Sequence, residues 1–162
     1  MEQINKPQGF IKIIITNKKT GATEKISIKN MVVQSASSIL ANNVARTGNK
    51  RVTKAAFGLT DHFTERDDVT ALWSATKTEL ELEETYFVDI NREPVDTFSK
   101  NGGSYLVKGI CFCFKTDNIP GGTKVTEVGL FANDDTMFSY KPINNFITPP
   151  DSIVSVEWTI MF

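Results

Sequence analysis

An alternating row of apolar side chains at the end of the chain restricts the fold more than any other feature of the sequence. In the segment SIVSVEWTIMF the apolar row consists of Val154, Val156, Trp158, Ile160 and Phe162. Because successive side chains of a strand point to opposite faces, this row predicts a strand with one buried face. We therefore expect a sheet protein whose last residue still lies inside the core.

Upstream, β-branched runs separated by turn residues predict further strands. The runs at 10–16 and 23–29 predict an N-terminal hairpin with Gly21 in its turn. Strand patterning is also present in residues 51–58, 79–83, 85–90, 105–114, 124–132 and 137–140. A crossing that contains prolines is expected to connect residue 140 to the final strand.

One segment after the first hairpin has helical spacing instead. Its apolar face consists of Val33, Ala36, Leu40 and Val44. Asn30 is the expected cap before the helix, and Gly48 is expected to end it. About eight strands and one helix are typical of an antiparallel β-sandwich or jelly-roll-like fold. We expect a mainly β single domain that covers residues 1–162 without a linker.

Composition limits the classes of partner. The chain has 162 residues and a formal net charge of -1 at pH 7, which argues against binding nucleic acid or an anionic membrane through bulk charge. No apolar stretch approaches the roughly 18 residues of a membrane span, and the first residues lack an apolar signal segment. Cys111 and Cys113 are too close in sequence for normal disulfide geometry, so we expect reduced thiols, which suit a cytoplasm.

Charge is distributed unevenly along the chain. Residues 1–60 carry ten Lys/Arg against two Asp/Glu, whereas residues 61–96 carry three Lys/Arg against eleven Asp/Glu. One alternative is that the two blocks neutralise each other within one copy. The other is that the basic block of one copy meets the acidic block of the next, in heterologous contacts that close into a ring or trimer. The second alternative predicts association that is sensitive to salt.

The sequence lacks the usual starting motifs of catalysis. GxGxxG, GxxxxGK[ST], GxSxG and HExxH do not occur, and the single histidine, His62, has no second ligand at a metal-binding spacing. A carboxylate pair such as Glu79 and Glu81 can in principle do acid–base work, but its place on the polar face of a strand favours solvation. We therefore expect no enzyme, no catalytic, cofactor-binding or metal-binding residues, and no cofactor.

The strand at 124–132 contains the segment TEVGLF, in which an acid lies among apolar residues. If Glu127 is buried, it needs a partner such as a backbone turn or an arginine. If the strand lies at the edge of the sheet, Glu127 is solvated. In either case a structural role fits Glu127 better than a catalytic one.

The C-terminal third resembles a pattern found in virion proteins of tailed bacteriophages. Its most specific parts are TEVGLF (Thr126–Phe131) and EWTIMF (Glu157–Phe162), which flank an acidic turn, a hairpin return and a proline-bearing crossing. Upstream, KNMVVQSASSILANNVA resembles the helix of such proteins. KAAFGLTDHFTERDDVTALWSATKTEL resembles their loop segment, with Leu59 and Thr60 in place of its second glycine.

The resemblance implies a structural protein of the virion, assembled in the host bacterial cytoplasm. Its expected partners are other capsid, collar or tail proteins and further copies of the same chain. Since the sequence ends at Phe162 without a shaft, it favours a capsid auxiliary or decoration protein, or a head-to-tail collar component. The alternative is a tail-fibre or baseplate attachment domain, or a module that binds host glycans through loop aromatics such as Phe63 or Phe98.

Three segments are predicted to form the protein interfaces. They are the basic hairpin turn, an acidic stretch and the loop from residue 144 to residue 149, represented by Lys18, Lys19, Asp67, Asp68, Asn144, Asn145 and Phe146. Exposed loops and sheet edges are where a β domain can dock on another chain. The three residues of the last segment either anchor a neighbour or belong to a loop that folds on its own core.

Overall fold

The structure, a computed structural model, describes residues 7–32, 35–45, 49–59, 71–72, 77–95, 106–117 and 119–162. These residues form eight strands and one helix: β1 (Gln8–Asn17), β2 (Thr23–Val32), α1 (Ser35–Val44), β3 (Val52–Gly58), β4 (Lys77–Val88), β5 (Gly109–Thr116), β6 (Lys124–Ala132), β7 (Met137–Ile147) and β8 (Ser152–Met161). The prediction of a mainly β, antiparallel single domain with one helix after the first hairpin is confirmed.

All eight strands belong to one curled antiparallel sheet, in the order β1-β2-β7-β6-β3-β4-β5-β8. The order closes because β8 pairs with β1 along its whole length, from Gln8 opposite Met161 to Asn17 opposite Ser152. The shortest junction is between β2 and β7, where only Met31 and Val32 are in register with β7. Closure brings strands from both ends of the chain together and leaves each strand with two neighbours.

The inside of the curled sheet is apolar. The β8 row Val154, Val156, Trp158 and Ile160 is completely buried, as its alternation predicted. It packs with isoleucines of β1, phenylalanines of β5 and two residues of α1: Ile11, Ile13, Ile15, Phe112, Phe114, Ala36 and Ile39. Phe162 does not join this core, since it is 62% exposed and follows the last register pair of β8. The expectation that the last residue lies inside the core was wrong.

A second apolar cluster covers the outer face of β3, β6 and β7. It consists of Ala56, Phe131, Met137 and Tyr140, with Leu72 packed against it. As a result β6 is buried on both faces, from Val125 to Ala132. A strand covered on both sides has no side that faces solvent, which fits the apolar run 128–132.

The helix begins later than the sequence suggested. Asn30, predicted as its cap, lies in β2 opposite Gly9 of β1. The helix itself begins at Ser35. β2 continues to Val32 because its end pairs with β7 in addition to β1. The pairing of the sheet therefore takes precedence over the local capping signal.

β7 is longer than predicted, because the segment 141–147 continues the strand to Ile147. Pro142 lies opposite Glu127, next to a register shift between Val125 and Glu127. A bulge accommodates a residue that has no N–H to donate, so the proline does not end the strand. Asn144, Asn145 and Phe146 are therefore strand residues, and the prediction that they form a loop was wrong.

Candidate functional site

A tight turn after β4 folds back over the outer face of the sheet. The Asp89 carboxylate accepts the backbone N–H groups of Asn91 (2.8 Å) and Glu93 (3.1 Å). The Asp89 N–H donates to the Glu93 carbonyl (2.9 Å), and the Arg92 N–H donates to the Asp89 carbonyl (3.0 Å). Arg92 has a left-handed backbone with φ of 63°, a conformation that costs energy for a residue with a side chain. These hydrogen bonds hold it there and fix the direction of its side chain.

The Arg92 guanidinium lies over the ring of Phe10 in β1, 4.3 Å from the ring centroid. The Lys29 ammonium of β2 lies 5.9 Å from the same centroid. Ile11 and Ile13 of the same strand point into the core. Because successive side chains of a strand point to opposite faces, Phe10 lies on the outer face. An exposed cation–π contact of this kind contributes about 0.5–1 kcal/mol. Its larger effect is to hold a guanidinium flat on the sheet surface.

Two clefts flank this stacked pair, and both are lined by Phe10 and Arg92. The larger cleft, of about 450 Å³, adds Lys108 and the apolar side chains of Ile90, Met161 and Phe162. The smaller cleft, of about 340 Å³, is polar and is lined by Lys12, Tyr86, Glu93, Glu157 and Thr159, among others. The surface around Phe10 therefore offers cations on one side and a mixed polar floor on the other.

Two thiols lie on the outer face of β5, near the floor of the smaller cleft. Cys111 is opposite Tyr86 of β4 and Thr159 of β8. A hydrogen bond with the Cys111 side chain, together with burial, raises the pKa of Tyr86. The pKa of Cys113 is raised to about 12. Burial is the main cause, and the neighbouring Cys111, Glu157 and Glu84 raise it further. A thiol that stays protonated at neutral pH is a poor nucleophile.

The unpaired cations and the exposed carboxylates are concentrated in different parts of the sheet. We call Lys29, Arg92 and Lys108, grouped around Phe10, the basic surface; all three cations are exposed. We call β4 with its exposed carboxylates the acidic strand; these carboxylates are Glu79, Glu81, Glu83 and Glu84. In the closed strand order β4 is four positions from β2, which carries Lys29, whereas Arg92 follows β4 and Lys108 precedes β5.

Few of the ion pairs within the chain join the two charge blocks of the sequence. Lys12 pairs with Glu157 (3.8 Å), Lys19 with Asp151 (3.1 Å) and Lys50 with Asp134 (2.9 Å). The ammonium of Lys54 lies between Asp135 and Glu79, and the hydrogen bond with Asp135 is the main cause of its raised pKa. Among the described residues, only the Lys54–Glu79 pair connects the basic block to the acidic block. The two blocks therefore pair little with each other there, although four lysines of the basic block are paired with carboxylates of the same copy.

The described residues among the predicted interface residues lie in the β1–β2 turn and in β7. Lys18 and Lys19 lie in the β1–β2 turn, where the Lys18 N–H donates to the Asp151 carbonyl (2.8 Å) and the Lys19 ammonium pairs with the Asp151 carboxylate. The Asn17 side chain orders this turn by accepting the N–H groups of Lys19 and Thr20. Residues 144–146 continue β7, with Phe146 in register with Val125. Asp67 and Asp68 lie outside the described residues, as do His62, Phe63 and Phe98.

Glu127 is completely buried, and Tyr140 is one of its partners. The Tyr140 hydroxyl donates to Oε2 of Glu127 at 3.2 Å. A Cβ added to Gly58 in the neighbouring strand would lie 2.5 Å from Oε1 of Glu127, so only glycine leaves room for the carboxylate. The buried-acid alternative is therefore the correct one, and Tyr140 is one of the partners that the buried carboxylate needs.

Sequence reasoning missed Phe10 and Arg92. A weak signal for Phe10 was present, because it shares a strand face with Lys12 and thus lies on the polar side of β1. No local pattern indicated that Arg92 would fold back onto it.

Within the described residues, no group of three or more His, Cys, Asp or Glu side chains is placed to hold a metal ion. The single helix of that part of the chain is too short to cross a membrane. Comparisons with protein-family models, with characterised proteins and with solved structures gave no match to this chain.

Proposed function

We propose that the chain is a non-enzymatic structural component of a tailed-phage virion, either a capsid auxiliary or decoration protein or a head-to-tail collar component. In this role it assembles with other virion proteins and with its own copies through protein–protein contacts. The phage context comes from the resemblance of Thr126–Phe131 and Glu157–Phe162. The observation that carries the assembly role is that the exposed cations around Phe10 and the exposed carboxylates Glu83 and Glu84 form no ion pair among the described residues.

Unpaired charge of this kind suits a protein that docks repeatedly. Complementary charged surfaces guide the encounter of two chains and fix their register, while they contribute less to the affinity. A chain with both signs at different surface positions can present one surface to each of two neighbours.

The direct test is to locate the chain in purified particles. Mass spectrometry of particles from the host of origin should detect it at a fixed ratio to the major capsid protein. A density map of the same particles should contain an eight-stranded domain of this topology at the capsid or the neck. A domain located at the baseplate would favour the attachment alternative, whereas absence of the chain from particles would refute the proposed function.

A further inference from the structure

A β-bulge in β4 places two carboxylates side by side. The β4–β5 register passes from Leu82 opposite Phe114 to Glu84 opposite Cys113, so Glu83 is the extra residue. Both Glu83 and Glu84 are exposed. Bulges of this kind redirect side chains and are often associated with functional positions.

This carboxylate pair lacks the lysines that accompany the other two acids of β4. Glu79 pairs with Lys54 at 3.3 Å. Glu81 is flanked in register by Lys54 on β3 and by Lys115 on β5. Glu84 instead lies opposite a thiol, and no ion pair joins Glu83 or Glu84 to a cation of the described residues. The unbalanced negative charge of β4 is therefore concentrated at the bulge.

The basic surface has the opposite imbalance. The Arg92 guanidinium lies over the Phe10 ring at 4.3 Å from its centroid, at an exposed position where a carboxylate of another chain can reach it. Among the described residues it forms no ion pair, and the same holds for Lys108. The larger cleft between these two cations is lined by no Asp or Glu side chain from the described part of the chain.

One copy does not satisfy both surfaces by itself. The shorter path from β4 to β1 in the sheet crosses β5 and β8, and no ion pair among the described residues joins the bulge to the basic surface. A carboxylate pair on one surface and a guanidinium without an ion pair among the described residues on the other are complementary in charge and in hydrogen-bonding groups. Because the two surfaces differ, a contact between them is heterologous.

We propose that a second copy of this chain docks its Glu83–Glu84 bulge against Arg92 and Lys108 of the first, in a head-to-tail contact. The inference rests on the proposed function and deepens it by naming the partner and both surfaces. An open assembly then has a free acidic bulge at one end and a free basic surface at the other. Repetition of the contact gives a ring if the rotation closes and a filament if it does not.

The test uses two charge-reversal variants that each destroy one surface. Arg92→Glu removes the basic surface, and the double variant Glu83→Lys with Glu84→Lys removes the acidic one. Light scattering after size exclusion at low ionic strength should show self-association weakened about tenfold or more for each variant alone. Mixed one to one, the variants should recover association, because each mixed pair keeps one intact contact between the bulge of one variant and the basic surface of the other.

Matched controls separate this contact from general charge effects and from misfolding. Arg51→Glu and Asp117→Lys make the same kinds of charge change at exposed positions outside both surfaces, and they should associate as the unmodified chain does, whereas Lys18→Glu tests the β1–β2 turn. Because Arg92 has a left-handed backbone, Lys108→Glu serves as a second variant of the basic surface. Circular dichroism checks that every variant is folded.

Three results would overturn the inference: a monomeric unmodified chain at all concentrations, variants that associate as well as it does, or a mixture that recovers no association. Loss of association in Lys18→Glu alone would move the contact to the β1–β2 turn and overturn it as well. None of these results decides whether the chain is part of the virion, because the location of the chain in particles tests that separately.

Discussion

At the scale of single residues, the most informative feature is a buried acid in β6. Glu127 is completely buried and accepts a hydrogen bond from Tyr140. A buried carboxylate is tolerated only where polar partners replace the water it has lost. The absence of a Cβ at Gly58 provides the space for it. The TEVGLF segment thus owes its acid to the packing between β3, β6 and β7.

Removing the tyrosine hydroxyl should destabilise the fold. In Tyr140→Phe the buried Glu127 loses one donor, and we expect the free energy of unfolding to fall by about 1–3 kcal/mol. Urea denaturation followed by tryptophan fluorescence measures the change. Tyr86→Phe is the matched control, since it removes a hydroxyl from a half-buried side chain and should have the smaller effect. Equal losses in the two variants would show that the Tyr140 hydroxyl has no special role.

The turn between β6 and β7 should contribute stability that depends on pH. The pKa of Asp134 is lowered from 3.8 to about 2. The main cause is the hydrogen bond with the Lys50 ammonium, and the second is the hydrogen bond with Thr136. Because the pKa is lower in the folded chain, this contribution is complete above pH 3.8 and is lost as the pH falls towards 2. Asp134→Asn should therefore be less stable than the unmodified chain at pH 6, and the difference should disappear near pH 2. Thermal unfolding across this pH range, with Asp117→Asn as the control, measures the difference in stability. A difference that does not depend on pH would contradict the assignment of this effect to the Asp134 carboxylate.

At the scale of elements, local patterns predicted the strands that have a regular environment. β6 was predicted to the residue, and the buried row of β8 follows from its alternation. The predictions that failed lie where tertiary pairing overrides a local signal. β7 passes Pro142 because of a bulge, and β2 extends past the expected cap at Asn30 because β7 pairs with its end. Bulges and late pairings depend on a partner strand, so they leave little trace in the strand's own sequence.

The unequal strand junctions predict where the sheet opens first. β2 and β7 share only two register pairs, whereas β1 and β8 are paired from end to end. Local opening requires the least energy where the fewest contacts break. In native-state hydrogen exchange, amides at the end of β2 should therefore exchange at least roughly tenfold faster than those in the middle of β8. Equal protection of the two segments would mean that other contacts hold the β2–β7 junction.

At the scale of the whole molecule, the candidate site was the part that sequence could not provide. Phe10 and Arg92 belong to opposite halves of the chain, and they meet because Asp89 fixes the turn that folds back over β1. The two charge blocks were visible in the sequence, but they do not coincide with the two surfaces, because Arg92 comes from the acidic block and Lys108 from neither block. The fold, not the order of residues along the chain, brings these cations together around Phe10.

If those two surfaces hold copies together, the association should weaken as salt is added. The charges involved are exposed, and the screening length falls from about 10 Å at 0.1 M to about 3 Å at 1 M ionic strength. The mean molecular mass measured by light scattering should therefore decrease steadily between low salt and about 1 M sodium chloride. An apolar contact behaves differently, because salts that strengthen the hydrophobic effect favour it. A mass that stays constant or rises with salt would instead assign the association to exposed apolar side chains such as Ile90, Ile147 and Phe162.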